Sequence, residues 1–85
     1  MTESRETRIK RMKMRSMRRG IKEMDLILAA YADRNLSSMD EEGLNTYDAL
    51  LNENDQDLYQ WVTGQASPPA QLAHLIDDIA QTFQK

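Results

Sequence analysis

The spacing of the apolar residues limits what this chain can fold into. Along its 85 residues they recur at intervals of three and four in short blocks, without the convincing period-two alternation of half-buried strands. The strongest block, residues 21–33, places its apolar residues on one side of a helix: Ile21, Met24, Ile27, Leu28 and Tyr31. This pattern predicts an all-α protein with that block as the central core helix.

The other apolar blocks predict helices on both sides of this one. The first helix is expected over about residues 6–18, the last over about 70–83, and two more between them. Connections of a few residues leave no room for a second domain and predict a compact five-helix antiparallel bundle. Residues 1–85 are therefore expected to form a single domain, helical over about 6–84, with a flexible segment at 1–5.

Side chains suited to capping give the expected bounds of the two middle helices. Ser38, with Glu41 three residues later, has the pattern of a capping box and is expected to start the third helix. Asn54 or Asp55 is expected to cap the fourth helix. Gly64 is placed to end that helix in a left-handed conformation.

Charge is distributed unevenly along the chain. Residues 1–22 carry a net charge of +7 and residues 23–85 carry −10. A transit peptide or a nucleic-acid-binding arm would also be basic, but Glu3 and Glu6 interrupt the basic segment. This segment also lacks aromatic residues for stacking on bases, and the acidic remainder would repel phosphate. We therefore expect no nucleic-acid partner.

The composition excludes several classes of site. The chain has no cysteine and one histidine, so disulfides and most metal sites are excluded. No catalytic constellation is present, and His74 is expected to be a partly exposed structural residue, so the protein is not expected to be an enzyme. No apolar run approaches the roughly 20 residues that span a bilayer, and no export signal is evident. These features predict a protein of the bacterial cytoplasm rather than a membrane protein, with the mitochondrial matrix as the alternative.

The junction between the first two helices carries the strongest functional signal. Arg18, Arg19, Gly20 and Glu23 combine two guanidinium groups, a bare backbone and a carboxylate in a few residues. Such a group suits docking better than catalysis. Gly20 and Glu23 could equally serve the helix junction itself, with the carboxylate stabilising the free N–H groups of the second helix. The two roles are compatible, because a rigid junction holds side chains in fixed directions.

Two motifs along the chain resemble segments of one protein family, and the resemblance covers about residues 8–72. The first is Arg18-Arg19-Gly20-x-x-Glu23-Met24-Asp25, and the second is Leu50-Leu51-x-Glu53-x-Asp55-x-Asp57-Leu58-x-x-Trp61. Together they resemble the succinate dehydrogenase flavinylation (FAD assembly) factor family, whose members are small five-helix proteins.

The resemblance implies an assembly chaperone. Members of this family assist covalent attachment of FAD to a histidine of the flavoprotein subunit of succinate dehydrogenase, and in some cases of fumarate reductase. The factor itself is then expected to hold no tightly bound cofactor. The sequence does not fix the oligomeric state, and a monomer is favoured. The family places Arg19, Gly20 and Glu23 at the partner-binding surface, with Arg18 beside them, and Asp25 on the same helix is a further, weaker candidate. Arg19 could grip a carboxylate or phosphate, and Gly20 would let a partner's backbone approach closely.

The sequence leaves two alternatives to this function open. The same junction could serve a helical interaction module or regulator with a different client, or the basic first helix could bind nucleic acid. Trp61 could anchor an interface, but Leu58 and Val62 share its helix face, so a core position is favoured.

Overall fold

The computed structural model describes residues 4–17 and 19–83, which form five α-helices and no strand. A 3-10 turn over Leu36–Ser38 follows the second of these helices. The helices are α1 (Arg5–Met17), α2 (Lys22–Asn35), α3 (Glu41–Leu51), α4 (Asp55–Val62) and α5 (Ala70–Phe83). The predicted all-α class and helix order are confirmed. None of the helices in the described ranges is long and apolar enough to cross a membrane.

The start of the chain is only partly described. Of the segment 1–5 that the sequence predicts to be flexible, residues 1–3 lie outside the described part. Arg5 already belongs to α1, and its guanidinium donates to the carbonyl of Ser37 at 3.1 Å and to that of Met39. The first helix is therefore tied to the connection between α2 and α3 from its first residue.

The central position predicted for α2 is confirmed. This helix packs against α1, α4 and α5, and it buries the side chains at the predicted apolar positions from Met24 to Tyr31. Trp61 is partly buried against the same core, as the sequence favours. The large side chains buried almost completely come from all five helices and the 3-10 turn: Met12, Met24, Leu28, Leu36, Leu44, Tyr47, Leu50, Leu58 and Ile79.

The predicted start of α3 at Ser38 is wrong. The Asp40 carboxylate caps this helix by accepting from the N–H of Gly43 at 2.7 Å, and Ser38 instead closes the 3-10 turn. The reason lies in Leu36, which is fully buried and donates its N–H to the Ala32 carbonyl, so the chain stays helical after α2 ends. Ser38 is thereby too early to begin a new helix.

The bounds predicted for α4 are confirmed. Asn54 is the capping residue, and its side-chain oxygen accepts from the N–H of Gln56 at 2.8 Å. At the other end Gly64 has φ of 82°, a left-handed conformation in which a side chain would be strained. The short α4 is thus terminated by local chemistry at both ends.

Arg8 and Arg15, two of the six basic side chains of α1, are paired with polar side chains of α3 and of the residue that follows it. Arg8 donates to Asn45 at 2.7 Å and lies 3.4 Å from the Glu41 carboxylate. Two turns later Arg15 donates to Asp48 at 2.6 Å and to Asn52 at 2.8 Å. Basic residues of the N-terminal part of the chain therefore pair with acidic residues of the remainder of the same chain.

A buried polar pair joins α1 to α3 beneath these surface contacts. The Ser16 hydroxyl donates to the Met12 carbonyl at 2.8 Å and lies 2.6 Å from the Tyr47 hydroxyl, so the tyrosine donates to the serine. Both residues are fully buried. Burial raises the pKa of Tyr47 to about 12, because the ionised phenolate would lose its hydration.

Candidate functional site

The turn between α1 and α2 is built by residues 19–21. Ile21 precedes α2 in an extended conformation and its side chain makes no capping hydrogen bond. Instead, the Asp25 carboxylate from the first turn of α2 accepts the backbone N–H of Arg19 at 2.7 Å. Glu23 lies in the same turn, where its charge is favoured by the helix dipole. The turn is therefore held by Asp25 from inside the second helix.

The Arg19 side chain points into the molecule rather than toward solvent. Its Nε donates to the Asp55 carboxylate at 2.6 Å, while Nη1 and Nη2 donate to the carbonyls of Leu51 and Glu53, each at 3.0 Å. Only 10% of its side chain is exposed. Leu51 is the last residue of α3, whose final carbonyls have no partner within the helix. Arg19 thus stabilises the end of α3 and joins it to the α1–α2 turn.

Asp55 is the second half of this arrangement. It is the first residue of α4, its side chain is 16% exposed, and its two oxygens accept from Arg19 Nε and from the backbone N–H of Gly20. A Cβ added at Gly20 would lie 3.1 Å from the Asp55 Oδ2 atom, which is tighter than an ordinary contact. Position 20 therefore favours glycine because the carboxylate of Asp55 occupies the adjoining space. We call Arg19, Gly20, Asp25 and Asp55 the junction clamp.

The junction clamp brings the two sequence motifs together. Arg19 and Gly20 belong to the first motif and Asp55 to the second, although 36 residues separate Arg19 from Asp55. The sequence places Asp55 in the second motif and offers it as a possible helix cap, but not as a partner of Arg19. Helical periodicity relates residues within one helix, so it carries no signal for a contact between helices.

The site residues proposed from the sequence differ in their exposure to solvent. Gly20 and Glu23 are exposed, Asp25 is partly buried, and Arg18 lies outside the described residues. Arg19 uses all three nitrogens of its guanidinium within the chain. Among the described residues of the junction, Gly20, Lys22 and Glu23 are therefore exposed, on a turn whose shape Arg19 maintains.

Among the described residues, no group of three or more His, Cys, Asp or Glu side chains could hold a metal ion. His74 lies exposed on α5, by a cavity that it shares with Asp40 and Asp78, far along the chain from the clamp. A second cavity of about 390 Å³ lies beside the junction on the α1 side, lined by Arg11, Met14, Arg15 and Arg19.

Comparison with known proteins gives a consistent result. A sequence model of one family, described as the flavinator of succinate dehydrogenase, matches residues 10–83. A relative from Aspergillus flavus is 46% identical over 75 residues, covering 88% of this chain and 25% of the relative. One from Candida glabrata is 56% identical over 48 residues, covering 56% and 31%, and one from Arabidopsis thaliana is 39% identical over 67 residues, covering 79% and 36%.

All three relatives carry the name succinate dehydrogenase assembly factor 2, mitochondrial. The chain spans only about a quarter to a third of their length. Their names show that the expectation of a bacterial cytoplasm as the main location is wrong, since the similar proteins are mitochondrial ones of fungi and a plant. The error arose because charge and hydropathy describe how a domain folds and do not identify the compartment that contains it.

Proposed function

Because this chain belongs to the family of succinate dehydrogenase flavinators, we propose that it promotes covalent attachment of FAD to the flavoprotein subunit of succinate dehydrogenase. The observation that carries this proposal is the family match over residues 10–83, which includes the junction clamp and all five helices except the first residues of α1. By the names of its relatives, the protein acts in mitochondria. The flavoprotein subunit of fumarate reductase is a second proposed client for the same covalent attachment of FAD.

In this proposal the protein is a chaperone rather than an enzyme. The bond forms between the flavin and a histidine of the client, so the reacting groups are supplied by those two partners. The factor favours the reaction by binding more tightly to the client conformation in which flavin and histidine are aligned. It needs no tightly bound cofactor of its own and works as a monomer.

The client-binding surface is assigned to the junction between α1 and α2. Glu23 offers an exposed carboxylate to donors of the client, and Gly20 allows a backbone to approach. Arg19 and Asp25 hold the turn in shape from within, so they act as positioning residues. Arg18, adjacent to them in the chain, is assigned to the same surface.

The pairing of α1 with α3 argues against a nucleic-acid role. Arg8 and Arg15 would have to leave the carboxylates and amides of α3 before they could neutralise phosphates. Binding to nucleic acid depends on such phosphate contacts for most of its affinity. A protein client is therefore the better match to this surface.

The experiment that tests the proposed function is removal of the protein from its host. Succinate dehydrogenase is then denatured and resolved on a gel, and the covalent flavin is read from its fluorescence. We expect the fluorescence of the flavoprotein band to fall several-fold and to return when the gene is restored. Equal amounts of flavoprotein must be present in both samples. Unchanged covalent flavin in the deletion strain would overturn the proposal.

A further inference from the structure

An apolar groove runs along α2 beside α5, starting at the junction. Leu26, Ile27 and Ala30 line it from α2, and Ile79 lines it from α5. The cavity has a volume of about 280 Å³. Because these α2 positions are three or four residues apart, they continue in one stripe along the helix from Glu23.

Leu26 is the most exposed large apolar side chain among the described residues, at 65%. A single exposed leucine needs no explanation in an ordinary protein. Here, however, the leucine stands at the edge of a cavity whose floor includes Ile27 and the fully buried Ile79. An apolar side chain placed in this groove would cover Leu26 and contact the core directly.

The two ends of the groove carry opposite charges. Glu23 lies in the first turn of α2, and Arg34 lies in its last turn, also against the groove. Eleven residues of helix separate them, a rise of about 16 Å. Within the described part of the chain, neither side chain forms an ion pair or a side-chain hydrogen bond. The groove thus has an apolar middle, an acidic end and a basic end.

We propose that this α2–α5 groove binds an amphipathic segment of the flavoprotein client, with Leu26 at the centre of the contact. The segment carries an apolar side chain at its middle, a basic group that meets Glu23 and an acidic group that meets Arg34. This inference rests on the proposed function and extends its binding surface away from the junction. The opposite charges at its two ends suit such a segment, and Glu23 joins the groove to the α1–α2 junction.

The dimensions of the groove define the size of the segment. A stretch of about three helical turns spans the distance between the two charged ends. Helices commonly bind such grooves through apolar anchors at positions i, i+3 or i+4, and i+7. The charges at the ends fix the direction in which the segment lies, because the reverse orientation would place like charges together.

The test uses lysine substitutions within and outside the groove. Leu26→Lys and Ala30→Lys place a charge in the groove, while Ala49→Lys makes the same change at an exposed alanine of α3. Lysine is a good helix former, so all three variants should keep the circular dichroism and melting temperature of the parent. Affinity for purified, FAD-loaded flavoprotein subunit and the yield of covalent flavin are measured for each.

We expect Leu26→Lys and Ala30→Lys to weaken client binding more than about tenfold, with Ala49→Lys within about twofold of the parent. If both groove variants bind like the parent, the groove inference is overturned while the proposed function stands. If the parent protein neither binds the flavoprotein nor raises covalent flavin, the proposed function itself fails.

Sedimentation of the parent and of Leu26→Lys tests the competing occupant, a second copy of this chain. We expect both proteins to sediment as monomers. A parent dimer that Leu26→Lys converts to monomers would assign the groove to self-association and overturn the inference.

Discussion

The carboxylate of Asp55 accepts hydrogen bonds from two consecutive residues of a distant part of the chain, Arg19 and Gly20. Its position at the start of α4 also places a negative charge where the helix dipole favours one. With both partners of this ion pair mostly buried, loss of either would leave the other without compensation. Asp55 therefore stabilises the α1–α2 turn from its position at the start of α4.

The contribution of Asp55 can be measured by comparison with a nearby aspartate. Asp55→Asn removes the charge that compensates Arg19, and we expect it to lower the free energy of unfolding by about 2–3 kcal/mol. Asp57→Asn changes an exposed residue in the same turn of α4 and should stay within about 0.5 kcal/mol of the parent. Urea denaturation of the two variants gives both values. Equal stability of the two would show that the clamp contributes nothing to the fold.

Glu23 offers the opposite case, a residue whose removal should spare the fold. Glu23→Ala deletes an exposed carboxylate, so we expect a loss of stability below about 1 kcal/mol but a several-fold fall in covalent flavin. Glu42 occupies the same position in the first turn of α3 and is also exposed. Glu42→Ala should therefore match the stability change and leave flavin attachment unaltered. Equal flavin yields from the two variants would remove Glu23 from the binding surface.

The sequence indicates the junction but not how it is held. Residue type and the family resemblance point to Gly20 and Glu23. The inward direction of Arg19 depends on carbonyls at the end of α3, which appear only once α3 and α4 are folded. Leu26 falls outside the predicted apolar stripe of α2, and a leucine off that stripe, about one helical turn after Glu23, is the signal for the groove that the sequence carries.

At the scale of helices, α1 is held differently from the others. The inward side of this helix buries Ile9, Met12 and Ser16, a small contribution for thirteen residues. Arg8 and Arg15 supplement it with polar contacts to α3. Because these contacts lie partly in solvent, salt screens them, unlike the apolar contacts of α2.

This difference predicts a salt-sensitive attachment of α1. Arg15→Gln removes the ion pair with Asp48, and we expect a loss of about 0.5–1 kcal/mol in low salt that shrinks in 1 M sodium chloride. Lys10→Gln removes an exposed charge of the same helix and serves as the control. Urea unfolding in the two salt concentrations gives the comparison. A loss for Arg15→Gln that does not depend on salt would mean that packing, not charge, holds the helix.

The helices themselves were the most predictable level of structure. Five apolar stripes gave five helices, because burial of one side is what stabilises helices this short. The error at Ser38 shows the limit of that reasoning. Serine and aspartate are both good capping residues, and the choice of Asp40 follows from the burial of Leu36, which no local pattern reveals.

At the scale of the whole molecule, two buried tyrosines make the stability of the fold depend on pH. Tyr47 donates to Ser16 inside the core, and Tyr31, whose ring stacks against it with centroids 6.1 Å apart, donates to Asp78 at 2.5 Å. Burial raises the pKa of Tyr31, and the hydrogen bond to the Asp78 carboxylate raises it further. Both hydroxyls therefore stay neutral in the folded state at pH values where the unfolded chain ionises them.

Stability should accordingly fall in alkaline solution. Below pH 10 both states hold neutral tyrosines, and the stabilisation is fully present. Between pH 10 and about 12 the unfolded chain loses its phenolic protons, while Tyr47 in the folded protein stays protonated. The free energy of unfolding therefore decreases over this range, by up to about 3 kcal/mol for Tyr47. Tyr47→Phe should reduce this dependence, as measured by urea unfolding across the range. An identical slope in parent and variant would contradict the assignment.

The junction clamp also has a consequence for the time course of folding. A bond between residues 19 and 55 closes a long loop, and the entropy of that closure must be met before the contact forms. During synthesis, Arg19 leaves the ribosome well before Asp55, so the α1–α2 turn exists for a time without the contacts that Asp55 and the end of α3 supply. The junction therefore acquires its full set of contacts only after α4 has joined, so a nascent or partly unfolded copy lacks the clamp.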